Sequence, residues 1–257
     1  SKGRINFPDE VLFAHALGLS YFTPKPAEIQ LIDEAQAPAG LTQKVGSNGE
    51  GYLPPAAVAE MLDFAGIPRV PEVTVRQPEE IAGVLKNIGI PVVMKVIGPV
   101  HKSDLGGVIL NIRELDQAID AFGKLMIIPE ATGVLIQPML KGMELFAGIK
   151  HEVNFGHILL CGMGGIFIEV LKDFSASLTP VSKAEADEMI RNLRIYPMLK
   201  GVRGQKGINL ELFSEILVRL SSLVHHFPGI TELDLNPLMA SGDKIYAVDA
   251  RIRIGHT

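Results

Sequence analysis

The chain has 257 residues, 47% of them apolar and 21% charged, with 26 glycines and 17 prolines. That composition excludes a disordered or collagen-like polymer, and the length allows one large or two small domains with a real core. A net charge of −5 and a pI near 5.8, with no long basic tract, argue against nucleic acid or an anionic membrane as the main partner. The lone cysteine, Cys161, excludes an internal disulfide framework, fits a reducing compartment such as the cytoplasm, and is flanked by apolar residues that make it inert packing. Residues 1–18 mix Lys2, Arg4, Asp9 and Glu10 among apolar positions and do not read as a secretory signal. The longest apolar stretch, 158–168, is too short to cross a bilayer and carries three glycines.

The first 32 residues hold one short helical pattern, 9–17, and then an irregular run around Pro24 and Pro26. Beginning on Ser-Lys with no Met, they read as a leftover of something longer. Residues 36–51 have linker composition, which puts a boundary near Gly51. Pro54 and Pro55 then open a helix over AAVAEMLDFAG that Gly66 stops. PEVTVR alternates as a strand, and QPEEIAGVLKNIG is a helix with Pro near its start, acids in its first turn and Gly89 at its end. PVVMKVIG and VILNIR are apolar strands, followed by a helix over ELDQAIDAFGKLM. From Gly133 the texture changes. GVLIQPML, MELFAGIKH, HILLCG, GIFIEVL and ASLTPV are strand-like runs a few residues apart, so they pair mostly antiparallel. Helical patterns follow at 183–193 and 209–227, and ITELDLNPLMA and DKIYAVDARI form a hairpin turned by Ser241-Gly242-Asp243. The fold class is α+β with two sheet-bearing lobes, expected at 51–132 and 133–257, behind an N-terminal remnant and linker over 1–50.

Several charged groups sit where strands should be apolar. Lys95 stands in the middle of PVVMKVI, and an ammonium buried there needs an anion. The plainer alternative is that it lies on a solvent face or snorkels from an edge. The next segment, GPVHKSDLGGV, adds Lys102 and the glycines Gly98, Gly106 and Gly107, a composition that wraps phosphates, although hairpin turns use glycine pairs too. His101 in that loop is either surface decoration or a nucleophile toward phosphorus, since a neutral imidazole forms a transferable phosphoramidate. In the closing hairpin, alternation puts Glu232, Asp234 and Asn236 on one face, and pairing brings Asp249 near Asn236. This is either an ordinary acidic face or an oxygen-only Mg²⁺ site completed by phosphate and water. Glu169, Asp173 and Arg203 near turns could approach a ligand, though such residues are usually solvated.

KVIGPVHKSDLGGV, GIFIEVLKD, ELDLNPL and AVDAR together resemble the ATP-grasp part of the ADP-forming acyl-CoA synthetases, over residues 51–255 and in the right order. The resemblance implies an ATP-grasp fold with a nucleotide site between two α+β lobes. It implies the reversible conversion of acid, CoA and ATP to acyl-CoA, ADP and phosphate through phosphohistidine, with this chain holding the nucleotide half. Residues 1–32 resemble the tail of a preceding CoA-ligase domain, so CoA-binding and CoA-ligase domains, on the same polypeptide or a partner subunit, are the expected partners in an oligomer. By the same resemblance Lys95 contacts the ATP phosphates, Gly106 and Gly107 close over them, Gln137 to Met139 form the hinge at adenine, and Glu144 holds the ribose. Asn236 and Asp249 hold Mg²⁺, Arg203 meets phosphate charge, and His101 carries the phosphoryl group. Where relatives often have Asp-Pro, this chain has Glu152-Val153, which puts any role for Glu152 in doubt. A competing reading is a regulatory ATP-grasp segment of the kind fused to protein acetyltransferases.

Overall fold

A computed structural model describes residues 8–22, 50–98, 105–165, 172–202, 204 and 206–255. It contains two antiparallel sheets. The smaller has the order β2 (Val73–Val75), β5 (Gly133–Pro138), β3 (Val92–Ile97), β4 (Val108–Ile112). The larger runs β1 (Gly51–Tyr52), β11 (Ala250–Ile254), β9 (Ile230–Ser241), β6 (Met143–Glu152), β7 (Gly156–Met163), β8 (Phe174–Leu178), with β10 (Lys244–Ala247) also paired to β9.

Alternation along each strand decides which face is covered. In the smaller sheet Met94, Val96, Val134 and Ile136 point to one side and pack with Ala118, Phe122 and Leu125 of the helix Leu115–Met126 and Ile81 of the helix Ile81–Ile88. In the larger sheet Leu145, Ala147, Ile149, Leu159, Leu233 and Leu235 pack against helices Pro55–Phe64, Lys183–Arg191 and Leu210–His226. Each such fully buried Leu or Ile contributes about 1.5–3 kcal/mol. The helices start where side chains satisfy their first N–H groups. Ser182 Oγ accepts from Glu185 N while Glu185 Oε2 accepts from Ser182 N at 2.7 Å, and Asn209 Oδ1 accepts from Leu212 N at 3.0 Å.

The sheets exchange segments across the boundary expected at 132/133. β5 lies inside the smaller sheet, between β2 and β3, whereas β1 pairs with β11, and Leu53, Ala57, Val58, Met61 and Leu62 belong to the larger core. Hydrophobic period fixes a strand's buried face but not its partners, so a switch of texture at Gly133 does not mark a change of sheet. The short N-terminal helix is present at Glu10–Phe22; most of the linker, and the GIFIEVL run from Ile166 to Leu171, lie outside the described residues. No described helix is long and apolar enough to cross a membrane.

Candidate functional site: a groove between two sheets

The face of the smaller sheet opposite its core carries Val93 and Lys95 from β3, Val108 and Leu110 from β4, and Gln137 from β5. With Pro138, Met139 and Leu140 they form one wall of a cavity of about 230 Å³ whose other wall is the larger sheet: Glu144 of β6, Asn236, Pro237 and Met239 of β9, and Val248 and Asp249 between β10 and β11. Lys95 is only 6% exposed, which removes the solvent-face alternative. Its Nζ donates to Val248 O at 2.8 Å, so the ammonium spans the two sheets at the cavity wall.

The opposite wall is set by register. β10 and β11 both pair with β9, placing Ala247 opposite Leu238 and Ala250 opposite Leu235. Val248 and Asp249 thus cross over beside Asn236-Pro237, and Val248 N donates to Pro237 O at 3.1 Å. Asn236 Oδ1 accepts from Gly165 N at 3.1 Å, and Gly164 N donates to Glu144 O at 2.9 Å. This turn requires glycine. Gly165 has φ +62 and a Cβ there would strike the Glu144 carboxylate, while a Cβ on Gly164 would strike Leu145 O.

Asn236 Oδ1 and the Asp249 carboxylate are hard oxygen donors on one cavity wall. Asp249 has Arg251 Nη2 at 3.8 Å from Oδ2, beyond hydrogen-bond distance, so its oxygens remain available to a cation. Among the described residues no cluster of three or more His, Cys, Asp or Glu could hold a metal. Two protein oxygens in a cavity that Lys95 also lines fit Mg²⁺, which takes its remaining ligands from water and phosphate, and do not fit a closed transition-metal site. Asp234, two residues before Asn236 and cross-strand from Arg251, has its carboxyl pushed up to about 6. Burial is the main cause; Asp249 and Glu232 add to it and Arg251 opposes it.

Of the residues singled out in the sequence, Lys95, Gln137, Met139, Glu144, Asn236 and Asp249 line this one cavity. Gly106 and Gly107 do not. They end the β3–β4 connection, where Gly106 is exposed with φ +67 and Gly107 O accepts from Val96 N at 2.9 Å. His101, Glu169 and Arg203 lie outside the described residues. Asp173 is 6% exposed and caps backbone, accepting from Arg194 N and Ile195 N at 2.9 Å each, so it approaches no ligand. Glu152 forms an ion pair with Lys150 at 2.7 Å on the exposed sheet face. Cys161 is buried, and burial raises its thiol to about 12, an unreactive position.

Sequence reasoning missed Val93, Val108, Leu110, Leu140, Pro237, Met239 and Val248. Val93 was within reach, because alternation puts it on the same face as Lys95. Val248 acts through its carbonyl, which no side-chain pattern reports.

Residues 44–254 match the ATP-grasp domain family. The chain is 40% identical over 223 residues to the beta subunit of acetate–CoA ligase [ADP-forming] I of Pyrococcus furiosus, covering 82% of this chain and 95% of that one. It is 34% identical over 271 residues to acetate–CoA ligase [ADP-forming] I of Archaeoglobus fulgidus, covering 99% of this chain but only 39% of that longer protein. Among solved structures it resembles acetyl-coenzyme A synthetase 1 of Ca. Korarchaeum cryptofilum, with 32% identity, a TM-score of 0.72, and coverage of 84% of this chain and 98% of that one. That complex holds coenzyme A and Mg-AMPPCP, with its phosphohistidine segment pointing towards the nucleotide-binding site. This chain belongs to the ATP-grasp family and matches the beta-subunit part of the ADP-forming acyl-CoA ligases.

Proposed function

We propose that the groove binds a Mg-nucleotide and that the chain passes a phosphoryl group between that nucleotide and His101, as the nucleotide half of an ADP-forming acyl-CoA synthetase. The observation that carries this reading is the convergence of Lys95, Glu144, Asn236 and Asp249 from two different sheets on one cavity. A triphosphate needs cationic charge, carboxylate or amide oxygens for its metal, and an apolar slot for its base, and this cavity has all three.

In this mechanism Val248 O holds the Lys95 ammonium in place before the ligand arrives, so little reorganisation is needed when phosphate charge meets it. Glu144, packed against Gly165, is the ribose partner. Asn236 and Asp249 would hold Mg²⁺, whose role when bound is to screen the phosphate oxygens. A neutral His101 nitrogen attacks the γ-phosphorus in line; the N–P bond forms as the bond to the ADP oxygen breaks, and the other ring nitrogen keeps its proton. In the direction of ATP formation the phosphohistidine returns its phosphoryl group to ADP. CoA-binding and CoA-ligase domains, on the same polypeptide or a partner subunit, would supply the acyl phosphate, and the assembled cytoplasmic enzyme would be an oligomer.

The test is incubation of the chain with ATP labelled in its γ-phosphate and Mg²⁺. Acid-labile label on the protein is expected and should vanish in His101→Ala. Label that persists in that variant would overturn the assignment.

A further inference from the structure

The larger sheet ends on an open edge. β8 pairs with β7 on one side, and among the described residues no strand pairs with its other side, so a row of backbone N–H and C=O groups faces outward. Folded proteins usually blunt such an edge with Lys, Pro, a bulge or a covering segment. β8 reads FSASL, in which no residue is charged or proline, and its register with β7 is unbroken from Leu178 opposite Ile158 to Phe174 opposite Gly162. Alternation puts Phe174, Ala176 and Leu178 on the face away from the core, and all three are exposed. Ile158 and Leu160, opposite Leu178 and Ala176 on β7, are only half-buried, so the apolar strip extends inward from the edge.

An edge of this kind takes another strand, and the sequence of β8 identifies it. Read in either direction, FSASL is a large apolar residue, Ser, Ala, Ser and a large apolar residue. Laid antiparallel to a second copy of itself about a two-fold axis at Ala176, it sets Phe174 of each chain against Leu178 of the other. Ser175 then meets Ser177 on the opposite face, and the two Ala176 residues meet on the axis. Aromatic–aliphatic pairs and Ser–Ser hydrogen bonds are favourable cross-strand contacts, and no like charges oppose each other within the strand. A patch that complements itself is what a two-fold interface requires. We propose that two copies of the chain pair through β8, joining their larger sheets into one continuous sheet across the axis at Ala176. The pairing is independent of the nucleotide reading, because Glu144 and Asn236 stand on β6 and β9, two and three strands from the edge. A five-residue strand with three outward side chains is smaller than the roughly 800 Å² per partner of a standard interface, so the dimer is weak, with a dissociation constant of about 1–100 μM.

Sedimentation equilibrium of the full chain from about 1 to 300 μM, a range that brackets this affinity, tests the proposal. The mass should rise with concentration from 27.8 kDa towards twice that value. Ala176→Lys sets two ammonium groups against each other on the axis and should weaken the dimer about 10-fold or more, as should Ala176→Glu with two carboxylates. An equimolar mixture of the two variants should pair again, because opposite charges then meet. Ala176 is exposed, so both variants should keep the melting temperature of the unsubstituted chain. Ala176→Cys adds a second readout. Facing residues of an antiparallel pair have Cα atoms about 4.5–5.5 Å apart, within disulfide reach, so mild oxidation should link two chains through this cysteine, while the buried Cys161 stays inert. A mass of 27.8 kDa at every concentration overturns the proposal and leaves the edge to a strand of another domain or protein. A dimer that persists in both charged variants, a mixture that fails to pair, or an Ala176→Cys chain that forms no link overturns pairing through β8.

Discussion

Asp234 offers a stability measurement whose size follows from its surroundings. Its carboxyl sits near 6 against an ordinary 3.8, because β9 buries it beside Asp249 and Glu232 with Arg251 as the compensating charge. The folded chain therefore holds this proton more tightly than the unfolded chain. The resulting stabilisation is fully present below about pH 3.8 and is lost as pH rises through about 6; the shift corresponds to about 3 kcal/mol. Asp234→Asn removes the titration. Above pH 7 the Asn variant should unfold about 3 kcal/mol later than the unsubstituted chain, and the gap should close by about 1.4 kcal/mol per pH unit between pH 6 and 4. Nucleotide-free urea denaturation at half-unit steps from pH 5 to 8 reads it directly. Carboxylates whose values are lowered, such as Asp187 beside Lys183, lose their contribution only at more acid pH, and the comparison with the variant cancels them. A gap that is flat across pH 5 to 8, or an Asn variant less stable at pH 7.5, would refute the reasoning.

Asp249→Asn should raise the Mg²⁺ concentration needed for half-maximal nucleotide binding by about 10-fold or more, since one anionic ligand becomes neutral; titration of Mg²⁺ at fixed ADP checks it. Asp173→Ala should cost about 3 kcal/mol, because two backbone N–H groups lose a charged acceptor, yet ADP affinity well below the melting temperature should be unchanged. Gly165→Ala should displace the Glu144 carboxylate and, if Glu144 holds the ribose as proposed, weaken binding of ADP more than of 2′,3′-dideoxy-ADP. Cys161 should resist alkylation until the chain unfolds, as a thiol-reactive dye followed through a denaturant series would report.

How much of this was readable in advance depended on the kind of information each feature carries. Lys95 stood out because an ammonium interrupts an apolar β-branched run; the run alone left a solvent-face position open, and burial of Lys95 in the fold removes it. Asn236 and Asp249 were brought together by hairpin pairing, although the second strand divides into β10 and β11 with Val248-Asp249 between them. The membership of β5 was not legible, because a strand's partners are chosen by tertiary packing. The Val248 carbonyl was invisible for a different reason, being a backbone group that any residue supplies. Asp173 looked like any acid near a turn; only the fold brings the N–H groups of Arg194 and Ile195 onto its carboxylate. β8 shows the same limit from the other side. Phe174 and Leu178 are each 53% exposed while the intervening serines are half-buried, the reverse of what residue type alone dictates.

The most direct measurement is a crystal structure of the chain with Mg²⁺ and a non-hydrolysable ATP analogue. The triphosphate should lie in the groove between the sheets, with Lys95 Nζ on a phosphate oxygen and Mg²⁺ on Asn236 Oδ1 and Asp249. Density for the analogue elsewhere, or a metal that touches neither residue, would contradict a nucleotide gripped between the two sheets.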